Sequence, residues 1–200
     1  MKYQLLLFDL GGVLAEVSHI PEFLSLIGWS EKAEEFWKKW VSSQYSKDFE
    51  SGKMDTAVFA ETIIREFNLP VDSPFLISCF GKFIKGFYPN ALEVLCSIPS
   101  AYRKAILSNT NPIHWDMVSG ELYGKSGIGD YFLSFETGFL KPDKEAYLDV
   151  IEKTGCNPGE ILFFDDNDKN IEAAKALGIN AVKVTSPAEL KKALIEHGIL

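Results

Sequence analysis

Asp9 stands where the apolar run Tyr3 to Leu10 breaks into Gly11-Gly12. A carboxylate there projects from a strand end into the crevice beyond it and can act as a nucleophile. A turn aspartate would look the same, and this segment alone leaves both readings open. Ser108, Asn109 and Thr110 follow a second apolar run, Ala105 to Leu107. They bring a hydroxyl, an amide and backbone N–H groups, neutral donors that suit phosphate oxygens and polar turns alike. Lys141 lies in Gly138-Phe139-Leu140-Lys141-Pro142-Asp143, fixed directly before a helix-starting proline. One lysine beside a nucleophilic carboxylate neutralises a phosphate and its transition state. Asp165 and Asp166 end a third run, Ile161 to Phe164. Adjacent carboxylates repel unless a cation binds, and Mg²⁺ takes a few carboxylates together with waters and phosphate oxygens. Asp168 and Asn170, just beyond, read as helix caps.

The elements that must position these residues follow from hydrophobic period. Tyr3 to Leu10, Ala105 to Ser108, Tyr131 to Phe135, Ile161 to Asp165 and Ala181 to Val184 are short apolar runs of the kind that form strands buried on both faces. Helical segments separate them: one opening at Pro142 and closing at Gly155, one marked by Ile171, Ala174 and Leu177, and one from Ser186-Pro187 to Gly198. Right-handed crossovers between parallel strands then predict an α/β fold, a doubly wound, mostly parallel Rossmann-like sheet whose ligands sit at the carboxyl ends of the strands.

Residues 15–85 read differently, with no strand-like run and with three helical stripes. The stripes are Ala33, Phe36, Trp37, Trp40 and Val41; Ala60, Ile63, Ile64 and Phe67; and Leu76, Cys79, Phe80 and Phe83, the last started by Ser73-Pro74. The expectation is a small α-helical cap, 15–85, inserted after the first strand of a core made of 1–14 and 86–200. Phe36, Trp37 and Trp40 read as cap core rather than as a substrate platform.

The bulk numbers bound the partners. A formal charge of -8 over 200 residues, with no basic run, speaks against nucleic acid and anionic membranes, so an anionic ligand needs a local positive site. Cys79, Cys96 and Cys156 show neither disulfide nor zinc spacing, which suits a reducing cytoplasm. The first apolar run is too short to span a membrane and ends in an aspartate rather than a cleavage site. Oligomeric state is not legible.

The four chemical clusters, in this order, resemble the motifs of the haloacid dehalogenase-like hydrolase superfamily. Phe8-Asp9-Leu10-Gly11-Gly12-Val13-Leu14 resembles the first motif, Leu107-Ser108-Asn109-Thr110 the second, Lys141-Pro142 the third and Phe164-Asp165-Asp166-Asn167 the fourth. The wider runs around Ser108 and Asp165 resemble the helical-cap branch that includes an α-glucose-1-phosphate phosphatase and the phosphatase domain of soluble epoxide hydrolase. The resemblance implies a Mg²⁺-dependent phosphatase acting on a small phosphorylated metabolite, a sugar phosphate among the candidates, through an aspartyl-phosphate on Asp9. It implies phosphate binding by Ser108 and Asn109 and charge stabilisation by Lys141. It also implies Mg²⁺ held by Asp9, the Gly11 backbone carbonyl, Asp166 and, directly or through water, Asp165.

One position departs from the pattern. Most phosphatases of the family carry an aspartate two residues after the nucleophile that protonates the leaving group, and here that residue is Gly11, which cannot transfer a proton. Two alternatives follow: a metal-independent dehalogenase, against which Asp165-Asp166 argues, or a weakly active or inactive phosphate-ester-binding protein. His19, His114 and His197 share no ligand spacing and read as loop or surface residues. His114, close after the phosphate turn, is a candidate proton donor, as are Glu16 and His19.

Overall fold

The structure is a computed structural model, and it describes residues 2–18 and 20–200. His19 lies outside the described residues. Five parallel strands form the central sheet: β1 (Leu5–Phe8), β4 (Arg103–Ser108), β5 (Asp130–Leu133), β6 (Ile161–Asp165) and β7 (Asn180–Lys183). Their spatial order is β5-β4-β1-β6-β7, with β1 hydrogen-bonded to β4 on one side and to β6 on the other. The winding direction reverses at β1, and the crevice where ligands bind in such sheets opens beyond its carboxyl end.

The period of two divides each strand between two cores. Leu6, Phe8, Ile106, Leu162 and Phe164 face α6 (Ala91–Ser97), α7 (Pro112–Leu122) and α11 (Pro187–Glu196). Leu5, Leu7, Leu107, Ile161 and Phe163 face α9 (Lys144–Thr154) and α10 (Asp168–Ala176). A sheet covered on both faces needs continuous apolar strands, which explains the runs seen in the sequence. Strand β4 starts earlier than its apolar run, because buried Lys104 donates to the carbonyls of Leu95 and Ser126, each at 2.8 Å. Helix α9 starts at Lys144 rather than at Pro142, since Asp143 N–H donates back to the Leu140 carbonyl and closes a turn first. A short helix, α8 (Ser134–Thr137), continues β5.

Between β1 and α6 the chain builds five helices around an apolar cluster of their own: α1 (Ile20–Leu26), α2 (Ala33–Ser42), α3 (Gln44–Glu50), α4 (Thr56–Phe67) and α5 (Ser73–Gly81). Phe36, Phe49, Phe59, Phe67 and Phe80 centre that cluster, with Phe49 and Phe59 stacked at 3.9 Å. Two expectations need correction. The segment is not free of strands: β2 (Ala15–Val17) and β3 (Ile84–Phe87) pair antiparallel where the chain leaves and re-enters the sheet domain's edge. The first helical stripe is also narrower than expected, for Phe36 is buried while Trp37 is 37% and Val41 64% exposed. Helices α1 and α3 are seven residues each, too short to carry a legible stripe. Among the described residues no helix is long and apolar enough to cross a membrane.

Candidate active site

Asp9 follows β1 directly and is nearly buried; its N–H donates to the Phe164 carbonyl and its Oδ1 accepts the Leu10 N–H at 2.7 Å. Lys141, also buried, places Nζ 2.9 Å from Asp9 Oδ1 and 2.7 Å from Asp165 Oδ2. Burial raises the Asp9 carboxyl to about 7, Lys141 pulling it down and Asp165 pushing it up. Burial works against the Lys141 charge too, but Asp9 and Asp165 outweigh it and hold the ammonium above the ordinary lysine range. The pairing joins residues far apart in the chain, and it exists because β1, β6 and the loop before α9 end at one sheet edge.

Asn109 has a use its sequence context did not suggest. Its Nδ2 donates to the Lys141 carbonyl and its Oδ1 accepts the Lys141 N–H, both at 2.8 Å. Its side chain therefore clamps the lysine's backbone, while the residue also lines the cavity above the sheet edge. Ser108, at the end of β4, faces the crevice, and Thr110 is tied to the start of α8 by reciprocal bonds with Ser134, whose Oγ accepts the Thr110 N–H and donates to its carbonyl.

The acidic pair divides its work. Asp165 is wholly buried, and both its oxygens are engaged by Lys141, by the Asn167 N–H at 2.8 Å and by Asn170 Nδ2 at 2.9 and 3.1 Å. Asn170 is thus a holder of Asp165 rather than a cap; the N-cap of α10 is Asn167, and Asp168 pairs with Lys183. Asp166 is only partly buried, and burial followed by the charge of Asp165 raises its carboxyl. It approaches the chain after Asp9 so closely that a Cβ on Gly12 would sit 2.5 Å from its Oδ2, which with φ of 76° requires glycine there. One oxygen each from Asp9, Asp165 and Asp166 lie within 4.8 Å of one another. Three carboxylates against a single lysine are a donor set for a hard divalent cation.

Above this edge lies a cavity of about 170 Å³ that Gly11, Ser108, Asn109 and Thr110 share with Trp37, Trp40, Glu50 and His114. Trp37 and Trp40 therefore line it, against the expectation that the stripe is only core, and Phe36, Phe23 and Phe80 are both buried in the helical cluster and at the cavity wall. Both ring nitrogens of His114 are engaged within the protein. Asn111, whose Oδ1 caps the His114 N–H, donates Nδ2 to the ring Nδ1 at 3.0 Å, so the Nε2–H must donate to the Phe80 carbonyl at 2.9 Å. Burial lowers its pKa to about 4, and the neutral ring braces α7 against α5. Glu16 is not among the residues lining the cavity and pairs loosely with exposed Lys85 at 3.7 Å. Glu50, absent from the sequence reading, is the unexpected member: it ends a short polar helix with no apolar period to mark it.

A carboxylate on the central strand of a parallel sheet, with a buried lysine and a second acidic pair at the same edge, defines a class of α/β enzymes that work by displacement at a charged centre. The chain belongs to the haloacid dehalogenase-like hydrolases, whose family model matches residues 3–178. It is 24% identical over 202 residues to a D-ribitol-5-phosphate phosphatase of Bacteroides thetaiotaomicron, covering 94% of this chain and 95% of that protein. It is 28% identical over 194 residues to (S)-2-haloacid dehalogenase 4A of Burkholderia cepacia, covering 92% and 80%. Among solved structures it is similar to a HAD family enzyme of Bacteroides thetaiotaomicron in complex with magnesium and inorganic phosphate, with a TM-score of 0.75, 26% identity, and coverage of 90% and 93%.

Proposed function

We propose that the protein is a Mg²⁺-dependent phosphomonoesterase that hydrolyses a small phosphorylated metabolite through an aspartyl-phosphate on Asp9. The observation that carries this reading is the charge balance of the site: three carboxylates within 4.8 Å of one another and one buried lysine would repel a phosphate dianion unless a divalent cation joined them. Asp9, Asp166 and the Gly11 carbonyl would hold Mg²⁺, with Asp165 beside them, and the bound ion would supply charge neutralisation. Asp9 attacks phosphorus, Lys141 and Ser108 hold the phosphate oxygens, and Asn109 and Asp165 keep Lys141 aimed. Segment 15–85 acts as the cap over a core of 1–14 and 86–200, and the cavity between them receives the leaving group. The D-ribitol-5-phosphate phosphatase among the relatives supports a sugar or sugar-alcohol phosphate as substrate.

The test is phosphate release from a panel of sugar and polyol phosphates with Mg²⁺. Turnover that EDTA removes and Asp9→Asn abolishes is expected, and turnover that survives Asp9→Asn would overturn the mechanism. Gly11 and the dehalogenase relative favour carbon–halogen hydrolysis as a second reading. Release of halide from a 2-haloacid in the presence of EDTA would select it.

A further inference from the structure

We propose that Glu50 is the general acid and base that Gly11 cannot be, giving a proton to the departing alcohol and taking one back from the attacking water. The inference rests on the phosphatase reading above. Its first support is position. Among the described residues that line the cavity above Gly11 and Ser108, Glu50 and His114 are the ionisable ones, and both ring nitrogens of His114 are engaged. Glu50 is left as the group there that can exchange a proton.

Its second support is the way the segment after α3 is held. Gly52, with φ of 70°, packs so tightly on the Phe135 carbonyl that any Cβ would overlap it. Phe135 follows Ser134, the residue that holds both backbone groups of Thr110. The end of α3 is therefore fastened to the same strand end as the Ser108–Thr110 turn, which sets Glu50 over the phosphate edge rather than at a distal part of the helical segment.

The surroundings suit a proton carrier. Phe36, Phe80, Phe83 and Trp37 make the cavity apolar, and Trp40 lines it beside Glu50. Burial raises Glu50 from 4.5 to about 7, the Trp40 side chain acting in the opposite direction and no neighbouring charge contributing. The charged residues on and near its own helix, Lys47, Asp48 and Lys53, line a separate outer groove with Asp143 and Glu145. Across the cavity, α7 presents neutral His114.

The proton count closes. As Asp9 forms its bond to phosphorus, the bond to the ester oxygen breaks, and the Glu50 proton goes to that oxygen, so the alcohol leaves neutral. The Glu50 carboxylate then accepts a proton from water as the water oxygen attacks phosphorus. The Asp9–phosphorus bond breaks, and Asp9 carboxylate, inorganic phosphate and protonated Glu50 result.

Glu50→Gln keeps the volume and the polar carbonyl but cannot donate this proton. With Mg²⁺ present, kcat/KM is measured on an alkyl phosphate, whose leaving group needs protonation, and on dinitrophenyl phosphate, whose leaving group does not. The variant is expected to lose about 10²-fold on the alkyl ester and to change little on the aryl one. The alkaline fall of the wild-type alkyl-ester pH profile should disappear with it. An equal loss on both esters, or no loss on either, overturns the role of Glu50 alone. A wild-type protein inert toward both overturns the phosphatase reading and this proposal with it.

Discussion

Gly11→Asp restores the side chain that the family pattern carries two residues beyond the nucleophile, and the structure leaves room for it. A Cβ at this position meets only Val17 Cγ2, at an ordinary 3.5 Å, and Gly11 is not among the glycines in the left-handed region. The next position is the opposite case, its Cβ colliding with Asp166. The folding cost of Gly11→Asp should therefore stay below about 1 kcal/mol, as for substitutions that create neither overlap nor strain. The new carboxyl enters the cavity that Gly11 and Val17 share, at the edge where the leaving group must depart. A positioned general acid is worth about 10²–10⁴-fold, or roughly 2.7–5.4 kcal/mol of barrier at about 1.36 kcal/mol per tenfold. Where Glu50 already serves, the gain on an alkyl phosphate should be about tenfold or less; in Glu50→Gln it should be about 10²-fold. The assay is kcat/KM on alkyl and dinitrophenyl phosphates for wild type, both single variants and the double variant. If Gly11→Asp melts like the wild type and restores nothing in Glu50→Gln, proton supply at this edge is not what limits turnover, and the reasoning fails.

Three further outcomes are expected. Lys141→Met removes the cation between buried Asp9 and Asp165, and should cost about 3–5 kcal/mol in metal-free urea denaturation; a loss under about 1 kcal/mol would mean the pair is not desolvated. Glu50, raised from 4.5 to about 7, binds its proton more tightly when folded, so its contribution to stability is present below about 4.5 and lost as pH rises through about 7. The stability of Glu50→Gln relative to wild type should thus climb across that window by up to about 3 kcal/mol, and a pH-independent difference would contradict it. Gly52→Ala should destabilise by well over the about 1–2 kcal/mol that a left-handed Cβ costs by itself, because it also meets the Phe135 carbonyl. Gly138→Ala, with φ of 80° and nothing within 4 Å, should show only the backbone cost, and equal melts for the two would refute the seam.

The strands β1, β4 and β6 were legible because burial on both faces demands uninterrupted apolar residues, and the residues that end them announced the site. Lys104 hid the start of β4, since two carbonyls that satisfy it come from elements on either side in the chain. The ribbon of β2 and β3 was invisible for a related reason: three and four residues are too few for a period, and pairing joins positions about 70 residues apart only after the helices between them fold. The bond from Asn109 to the Lys141 backbone was not legible, because the two residues are 32 apart in the chain.

By itself the sequence determined which chemistry the sheet edge could hold: a carboxylate, a hydroxyl, a lysine and an acidic pair, each placed by an apolar strand that ends beside it. Tertiary structure alone decided how those groups are employed. It committed Asn109 and Asn170 to positioning, engaged both nitrogens of His114 and brought Glu50 over the pocket from a helix of no evident pattern. Strand burial is a local property that leaves a periodic trace in composition. A side chain's hydrogen-bond partner and its desolvation are set by groups distant in the chain, and leave none.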